Sequence, residues 1–589
     1  MKKLTGILAL FLCLVFFVSA FASCGKNTGS TTAPEATEPD ATASQTTASQ
    51  TTENVTAAPT TPKETTAIPT TTDPFEVIGD EVSAFSADDR NLKIQYNMYV
   101  SAENIPRNNI YIQGPDEVTM GVTSQVEQLV YERNHAAADL LGLTLTYDYW
   151  DDLKWGAQAG RIKTQVSGHD PEAPDLYIDM LYDLNKAMKT TSVFKDLWSI
   201  PGSYFDFDAE GWMTDWMNSL SFTGDRAYIL GSDYFIDIFR AMGVLPLNMT
   251  LMDANSDKLA AFITTETLQP GEKLTEYFFD FVDDGKWTWS VLGQLCEAIW
   301  IDTDGNQTNS ISDTLGIVTD RYTGLPASLI VYSSGVSLID QYFIEDTESE
   351  YYGKQWMAYK PEVTSLADIF DAVAGVFNGR GAFVTNDTSQ IGATEDNPGL
   401  PYHYIKFAKN ELLFAGPVLL GALEDVSFQT MESAFSVVPL PKVSADGIYN
   451  TVIHNTADCG AINVNTTPGK ARALSAYLQY CSTKSGEIRE EFLEIVTKYR
   501  TTTYNQGTDR MLDLIYASVI TGRDKALEDV SEETSGKTGA SWMKGSGFTG
   551  GSAFVVEKYQ SELSNKQKKL DNIMKIWYNL PTSETENAE

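Results

Sequence analysis

Apolar residues recur along this chain with two different spacings, and the two spacings predict helices and strands in turn. From Ser124 to Leu141 they recur every three or four residues, which is typical of one buried helix face. Leu143 to Tyr147 alternates strictly, and Ala173 to Asp179 is a short apolar run entered from a turn, so both are predicted strands. Because helix and strand patterns keep exchanging, we expect a layered α/β fold.

The first 24 residues follow a different pattern. Lys2 and Lys3 precede an apolar stretch from Ile7 to Ala22, which is shorter than a membrane span and ends in small residues. This predicts an export signal over 1–23. The position of Cys24 resembles the lipobox of bacterial lipoproteins, although Phe21 stands where leucine is usual. The resemblance implies a lipid on Cys24 and an extracellular, membrane-anchored chain. An ordinary signal peptide with an incidental cysteine is the alternative.

A long polar segment follows the leader. Residues 24–75 consist mainly of Thr, Ser, Ala and Pro, with few large apolar side chains. Such a segment buries too little surface to offset the entropy of ordering, so we expect it to be disordered. A flexible chain of roughly 50 residues has a root-mean-square reach of about 40 Å. We therefore interpret it as a tether, and the polar end, 583–589, as a disordered tail.

Composition narrows the class of protein. The formal net charge is −38, from 80 acidic against 42 basic residues, which argues against a nucleic-acid partner. The stretch between tether and tail exceeds the size at which one hydrophobic core stops growing, so at least two lobes are expected. Cys296, Cys459 and Cys481 have no metal-site spacing and apolar neighbours, which indicates buried thiols, with one disulfide as the alternative.

Several segments carry a family resemblance through their order and spacing. These are Val130–Asn134 before Leu140–Leu145, Gly224–Asp233, Asp284–Trp289, Phe435–Lys442 and Thr451–His454. Together they resemble the sugar-binding, family 1 solute-binding lipoproteins of bacterial ABC importers. The resemblance implies two α/β lobes joined by crossing strands and closing on a ligand, as in type II periplasmic binding proteins. Gly224–Asp233 would be the first crossing and Thr451–His454 the return.

The domain boundaries follow from that assignment. Lobe 1 is expected over 76–230, with 455–510 returning to it, and lobe 2 over 231–454, with helices from 511–582. The resemblance also implies an ABC permease as partner and a monomer that bends at a hinge. No cofactor is implied.

Candidate ligand residues are those that follow predicted strands or crossings and combine rings with planar polar groups, because sugars offer apolar faces and hydroxyl edges. The set is Tyr149, Trp150, Asp179, Asp233, Tyr234, Tyr332, Gly335, Gly416 and His454. Two alternatives stay open: Trp150 packs in the core, and His454 serves the hinge. Abundant aromatic residues favour a sugar, and the lack of an arginine cluster disfavours an anion.

One acidic loop is similar to a calcium loop. Asp302, Asp304, Asn306 and Asp313 occupy its oxygen-ligand positions, but Gln307 stands where glycine is expected and the last ligand is Asp in place of Glu. The prediction is a structural calcium site, and an acidic turn is the alternative.

Motifs for catalysis are missing from the sequence. The four histidines are far apart, and neither an HExxH nor a GxSxG motif occurs. We therefore expect a receptor that captures a carbohydrate of oligosaccharide length, and not an enzyme. A surface-anchored glycan hydrolase or a polysaccharide-binding adhesin is the alternative.

Overall fold

The computed structural model describes residues 73–97, 109–114, 125–150, 156–189, 193–321, 324–385, 402–424, 426–498, 506–519, 522–530 and 542–580. The predicted leader, the Cys24 lipid anchor and the tail lie outside these residues, as does the tether up to residue 72. Within them, no helix is both long and apolar enough to cross a bilayer.

The strands, in chain order, are β1 Asn91–Asn97, β2 Thr144–Trp150, β3 Leu176–Met180, β4 Gly243–Asn248, β5 Leu315–Asp320, β6 Ile339–Phe343, β7 Gln355–Tyr359, β8 Ala382–Thr385, β9 Leu412–Ala415, β10 Val418–Leu419, β11 Phe435–Val438 and β12 Asp458–Ile462.

The helices of the first half are α1 Pro74–Ser83, α2 Gln125–Leu141, α3 Gln158–Ser167, α4 Leu181–Met188, α5 Thr214–Ser219, α6 Ile236–Arg240, α7 Met249–Ala254, α8 Ser256–Ile263, α9 Leu274–Asp283 and α10 Trp289–Ile299. Those of the second half are α11 Leu325–Ser333, α12 Thr364–Phe377, α13 Tyr402–Ala408, α14 Val426–Thr430, α15 Pro468–Thr483, α16 Gly486–Leu493, α17 Gln506–Ala517, α18 Arg523–Val530 and α19 Phe548–Trp577. Helix α1 begins two residues before the expected start of lobe 1.

Two separate sheets carry the fold. The first has the strand order β12-β3-β1-β2, with β1 parallel to both β2 and β3, and β12 antiparallel to β3. The second has the order β10-β4-β9-β5-β8, with β11 also paired to β4. Strand β5 is parallel to β8 and β9. A short hairpin, β6-β7, stands apart. The α/β prediction is confirmed.

Buried apolar side chains form two core clusters. The first contains Ile94 and Ile178 of the first sheet and extends to Val244 and Val318 of the second, and the other contains Ile317 and Phe414 of the second sheet. Strand β5 is buried at every position. Parallel strands that are covered on both faces typically consist of largely apolar residues. The three cysteines of the described residues are buried and free, as their apolar neighbours predicted.

The passages between the sheets run side by side and in opposite directions. Met242 forms an antiparallel bridge with Ile453. The backbone N–H of Gly243 donates to the Val452 carbonyl at 3.0 Å, and that of His454 donates to the Ala241 carbonyl at 2.9 Å. Two short, hydrogen-bonded segments therefore join the part of the chain around the first sheet to that around the second.

The first crossing was placed wrongly by the sequence. Leu230, within the predicted crossing Gly224–Asp233, still bridges Gly460 of β12 and therefore belongs with the first sheet. The chain leaves that sheet only after α6, at Met242. Sequence alone could not distinguish the two positions, because both are short apolar stretches that follow a turn. The return segment, Thr451–His454, does run beside the outgoing one.

Candidate functional site

A cavity of about 330 Å³ lies among helices α5, α11 and α18 and the return passage between the sheets. Asp215, Asn218 and Ser219 line it from α5, whose Trp216 is buried in the same core cluster as the first sheet. Tyr332 lines it from the end of α11, which belongs to the core cluster of the second sheet. The remaining lining residues are Val336, Ser337, Val452, Gly522, Arg523, Asp524 and Lys525. A pocket of this size is near the lower end of the ~300–1,000 Å³ range for small-molecule sites.

Helix α18 connects the two sides of this cavity. Its Asp529 accepts hydrogen bonds from Asn185 Nδ2 at 3.0 Å and from Asn455 Nδ2 at 2.8 Å, on the side of the first sheet. Glu528 accepts a hydrogen bond from the Tyr332 hydroxyl, on the side of the second. The geometry of the cavity therefore depends on polar contacts made by one short helix to both lobes.

A buried ionic network supports that helix from within. Lys525 Nζ lies 2.6 Å from Asp529 Oδ1 and 3.7 Å from Glu528 Oε2. Burial raises the pKa of Asp529 to about 6, even though Lys525 opposes the rise. Burial alone would lower the pKa of Lys525, but the Asp529 and Glu528 carboxylates raise it above its usual value. Lys525 is therefore charged and paired inside the protein.

The neighbouring Asp524 is held by the second lobe. Its carboxylate accepts hydrogen bonds from the Leu338 backbone N–H at 2.6 Å and from the Ser337 hydroxyl at 3.4 Å. Burial raises the pKa of Asp524 to about 6, and these hydrogen bonds and Arg523 moderate the rise. Asp524 consequently has its acceptor oxygens committed to protein donors.

Arg523 differs from the other charged groups of the cavity. Its Nε is buried and has no hydrogen-bond partner within the described residues. No ion pair within 4.0 Å joins its guanidinium to a carboxylate in that part of the chain. Burial lowers the pKa of Arg523, although an arginine still remains charged at neutral pH. Among the described residues, the Arg523 Nε is therefore a buried donor that has no acceptor.

Two of the sequence-predicted ligand residues lie at this cavity. Tyr332 lines it, and Gly335 stands next to the lining residues Val336 and Ser337, with φ +73° that favours glycine. Both were expected at the end of a strand, and this is wrong: Tyr332 lies in the last turn of helix α11, Leu325–Ser333, and Gly335 lies two residues beyond its end. The run from Pro326 to Ser333 is buried throughout, and an apolar run of that length has no period that separates helix from strand.

Three others lie at the carboxyl ends of the first sheet's strands, outside the cavity. Tyr149 is exposed and stacks on Tyr96, while Trp150 packs under the Arg161 guanidinium, 4.6 Å from its ring centre. Asp179 is buried and accepts a hydrogen bond from Asn97 Nδ2 at 3.0 Å. Burial, helped by nearby Asp183, raises the pKa of Asp179 well above its usual value. The carboxyl ends of β2 and β3 therefore carry a second group of aromatic and polar side chains, separate from the cavity.

Asp233 and Tyr234 are committed to contacts within the protein. Asp233 forms an ion pair of 2.7 Å with Arg489 and accepts a hydrogen bond from the Tyr516 hydroxyl at 3.2 Å. Tyr234 is fully buried, with the Arg133 guanidinium 4.6 Å from its ring centre. Neither residue lines the cavity.

Gly416 and His454 occupy backbone positions that the fold needs. Gly416 follows β9 with φ +59°, which permits the sharp turn into β10. His454 lies in the return passage, where its Nδ1 is 3.1 Å from the Thr456 hydroxyl. Burial lowers the pKa of His454 to about 3, so the imidazole is neutral. Its position is that of the hinge alternative.

The acidic loop has a folded geometry of its own. Oxygens of Asp302, Asp304 and Asp313 come within 4.8 Å of one another, so they could hold a cation. Each carboxylate already accepts loop hydrogen bonds, for example from Gln307 N at 2.8 Å to Asp302. Gln307 adopts φ +60°, the conformation for which calcium loops use glycine. Asn306 accepts from Thr308. Calcium binding by this loop stays a prediction.

Sequence reasoning missed most of the cavity lining. Arg523, Asp524 and Lys525 form a charged run at a helix start, and such a run normally indicates a solvated face. Asp215 and Asn218 lie on a helix too short to show a period. Only the three-dimensional packing of α5, α11 and α18 brings these residues together, so no local signal could have found them.

No model of a known protein family matches this chain, and no curated protein matches it either. Among solved structures, it is similar to the GacH receptor of Streptomyces glaucescens, with 12% identity, 81% of this chain and 98% of that chain covered, and a TM-score of 0.41. It is also similar to a family 1 extracellular solute-binding protein from Bifidobacterium longum subsp. infantis, with 13% identity, coverages of 83% and 99%, and a TM-score of 0.42.

A third similar structure is the galacto-N-biose-/lacto-N-biose I-binding protein of an ABC transporter from Bifidobacterium longum. The identity is 12%, the alignment covers 84% of this chain and 98% of that chain, and the TM-score is 0.44.

Proposed function

We propose that this chain is a lipid-tethered, extracellular receptor of an ABC importer, and that it captures a carbohydrate between its two lobes. One observation carries the proposal: a cavity of about 330 Å³ with mixed polar and apolar lining lies among α5, α11 and α18, and Val452 of the return passage lines it as well. A solute that contacts both lobes stabilises the closed arrangement by its differential affinity, which is how binding becomes a signal to a partner.

The lining suits a hydroxyl-bearing solute. Asn218, Ser219 and Ser337 supply amide and hydroxyl groups, and the Tyr332 ring and Val336 supply apolar surface. Sugars need this combination of fixed polar groups and apolar walls. The sequence adds the leader, the Cys24 anchor and the tether, which together would hold such a receptor beside a membrane permease. We propose that it acts as a monomer and carries out no chemistry on the solute.

The first test is calorimetry of the secreted chain, lacking the leader, against a panel of mono- and oligosaccharides. Micromolar binding is expected for at least one, together with a smaller radius of gyration by X-ray scattering in its presence. Oligosaccharides should be recovered intact, whereas a hydrolase would shorten them. A panel that gives neither heat nor a change in scattering contradicts the proposal.

A pair of variants locates the site. Asn218 is exposed on α5 and lines the cavity, so Asn218→Ala should weaken binding about tenfold with little change in stability. Trp150→Ala lies at the edge of the first sheet and serves as the comparison. If Trp150→Ala abolishes binding and Asn218→Ala does not affect it, the ligand binds at the sheet edge and the cavity is not the site.

A further inference from the structure

The charged side chains that line the cavity differ in the protein partners they have. Lys525 is paired with Asp529 and Glu528, and Asp524 accepts hydrogen bonds from Leu338 N and Ser337 Oγ. Arg523 is the cation that has no such partner among the described residues, and its Nε is shielded from water. Asp524 acts on Arg523 electrostatically, but no carboxylate of the described residues forms an ion pair with it within 4.0 Å.

A half-buried cation beside a cavity is costly when burial removes part of its hydration and the nearest carboxylate, here Asp524, forms no direct ion pair with it. A ligand that brings an anionic, planar acceptor relieves this cost. A carboxylate matches the guanidinium fork with two parallel hydrogen bonds, which a neutral hydroxyl does not provide. The rest of the lining, from Asn218, Ser219 and Ser337, still requires hydroxyl groups.

We propose that the cavity selects an acidic saccharide, a sugar unit bearing a carboxylate, and that Arg523 binds this carboxylate. The inference rests on the proposed function and narrows it, since the absence of an arginine cluster in the sequence had favoured an uncharged sugar. Of the other charged lining residues, Lys525 is paired, Asp524 accepts hydrogen bonds from the protein, and Asp215 is exposed to water on α5, so Arg523 is the half-buried cation left to bind a ligand carboxylate.

The test compares matched pairs of probes by calorimetry: glucuronate against glucose, and galacturonate against galactose, as monosaccharides and as short oligomers. A charge-assisted hydrogen bond predicts that the acidic member of at least one pair binds about tenfold to a hundredfold more tightly. Glucose 6-phosphate and glucose 6-sulfate are included, and tighter binding of either than of the uronates would overturn the carboxylate assignment.

Two variants assign the preference to a residue. Arg523→Gln should abolish the difference between acidic and neutral members, whereas Arg523→Lys, which keeps the charge, should retain part of it. The matched control is Arg380→Gln, which removes one positive charge from an exposed site over Trp300 and should leave the preference unchanged. A preference that survives in Arg523→Gln overturns the inference.

The stability of the unliganded variant supplies an independent readout. Removing an unpaired buried cation should leave the melting temperature of Arg523→Gln equal to or above that of the wild type. A marked decrease would show that Arg523 has a protein partner and would contradict the inference. Neutral sugars that bind as tightly as uronates overturn the inference but leave the receptor proposal standing, whereas no binding of any saccharide contradicts both.

Discussion

Two arginines lie close to the junction of the two sheets, and their surroundings differ. Arg240 ends α6, just before the outgoing hinge passage. Its Nε is 2.9 Å from Glu424 Oε1, and its Nη1 bonds to Asp237. Burial alone would lower the pKa of Arg240, but the two carboxylates raise it well above its usual value. Arg523 borders the cavity with no comparable partner.

This difference in partners distinguishes an arginine that stabilises the fold from an arginine that is available to a ligand. Asp237 also accepts a hydrogen bond from the Asp458 backbone N–H at 3.0 Å, so the Arg240 cluster joins the first sheet to the segment that carries Glu424 beside the second. A buried charge with a full set of partners holds backbone in place. A half-buried charge that forms no ion pair stabilises the free protein much less, and it can gain free energy by pairing with a ligand.

The largest expected effect comes from Arg240→Met, which removes the cation from between the buried Asp237 and Glu424 carboxylates. The free energy of unfolding should fall by about 3–5 kcal/mol, as when one partner of a buried ion pair is removed. Urea unfolding followed by tryptophan fluorescence measures it. Arg523→Met is the companion variant, and it should lose little or none. Equal losses in the two variants would remove the distinction between them.

How much of the structure could be predicted from the sequence depends on how far apart in the sequence the interacting residues are. Local periodicity was sufficient for α2, β2 and β3, because a helix face or an alternating strand is specified by neighbouring residues. It failed at α11, where a continuously apolar segment hides its period, and at the first crossing, where Leu230 and Met242 sit in similar stretches. All strands of the second sheet lie between Met242 and Ile453 in the sequence, so no local pattern encodes the pairing of these two residues.

The candidate site was less predictable than the fold for the same reason. Tyr332 was found because it follows an apolar run, but Asp215 and Arg523 come from distant segments with no distinctive composition. Asp233 looked like a ligand residue in sequence, and the structure gives it Arg489 as a partner. Whether a polar residue is free or committed depends on which segments pack beside it, and that information appears only in the folded chain.

A smaller effect is expected in the pH dependence, through Asp524. Its pKa of about 6 lies above the value of ~3.9 for an unfolded chain, so the folded protein binds more protons between these values. This contribution is fully present below about pH 4 and is lost as the pH rises to about 6, by about 2 kcal/mol as an order of magnitude. Asp524→Asn should therefore show a flatter decline of unfolding free energy across that window.

The same experiment sharpens the comparison of the arginines. The Arg523 guanidinium lowers the pKa of Asp524, so Arg523→Gln should move the window of declining stability to higher pH. Arg240→Gln, whose carboxylate partners are Asp237 and Glu424, should leave the window in place. Urea titrations at half-unit steps from pH 4 to 7 measure both. An unchanged window in Arg523→Gln would mean that the two side chains do not interact.

The smallest effect should come from a cation that is paired but exposed. Lys286 Nζ lies 2.7 Å from Asp284 Oδ2, with both side chains more than half accessible to water. Exposed pairs gain little because water screens the charges and both side chains lose rotamer freedom. Lys286→Gln should change the free energy of unfolding by less than about 0.5 kcal/mol in the same urea assay. A loss of free energy close to that of Arg240→Met would show that an ion pair stabilises the fold even without burial. Burial would then not distinguish Arg240 from surface ion pairs.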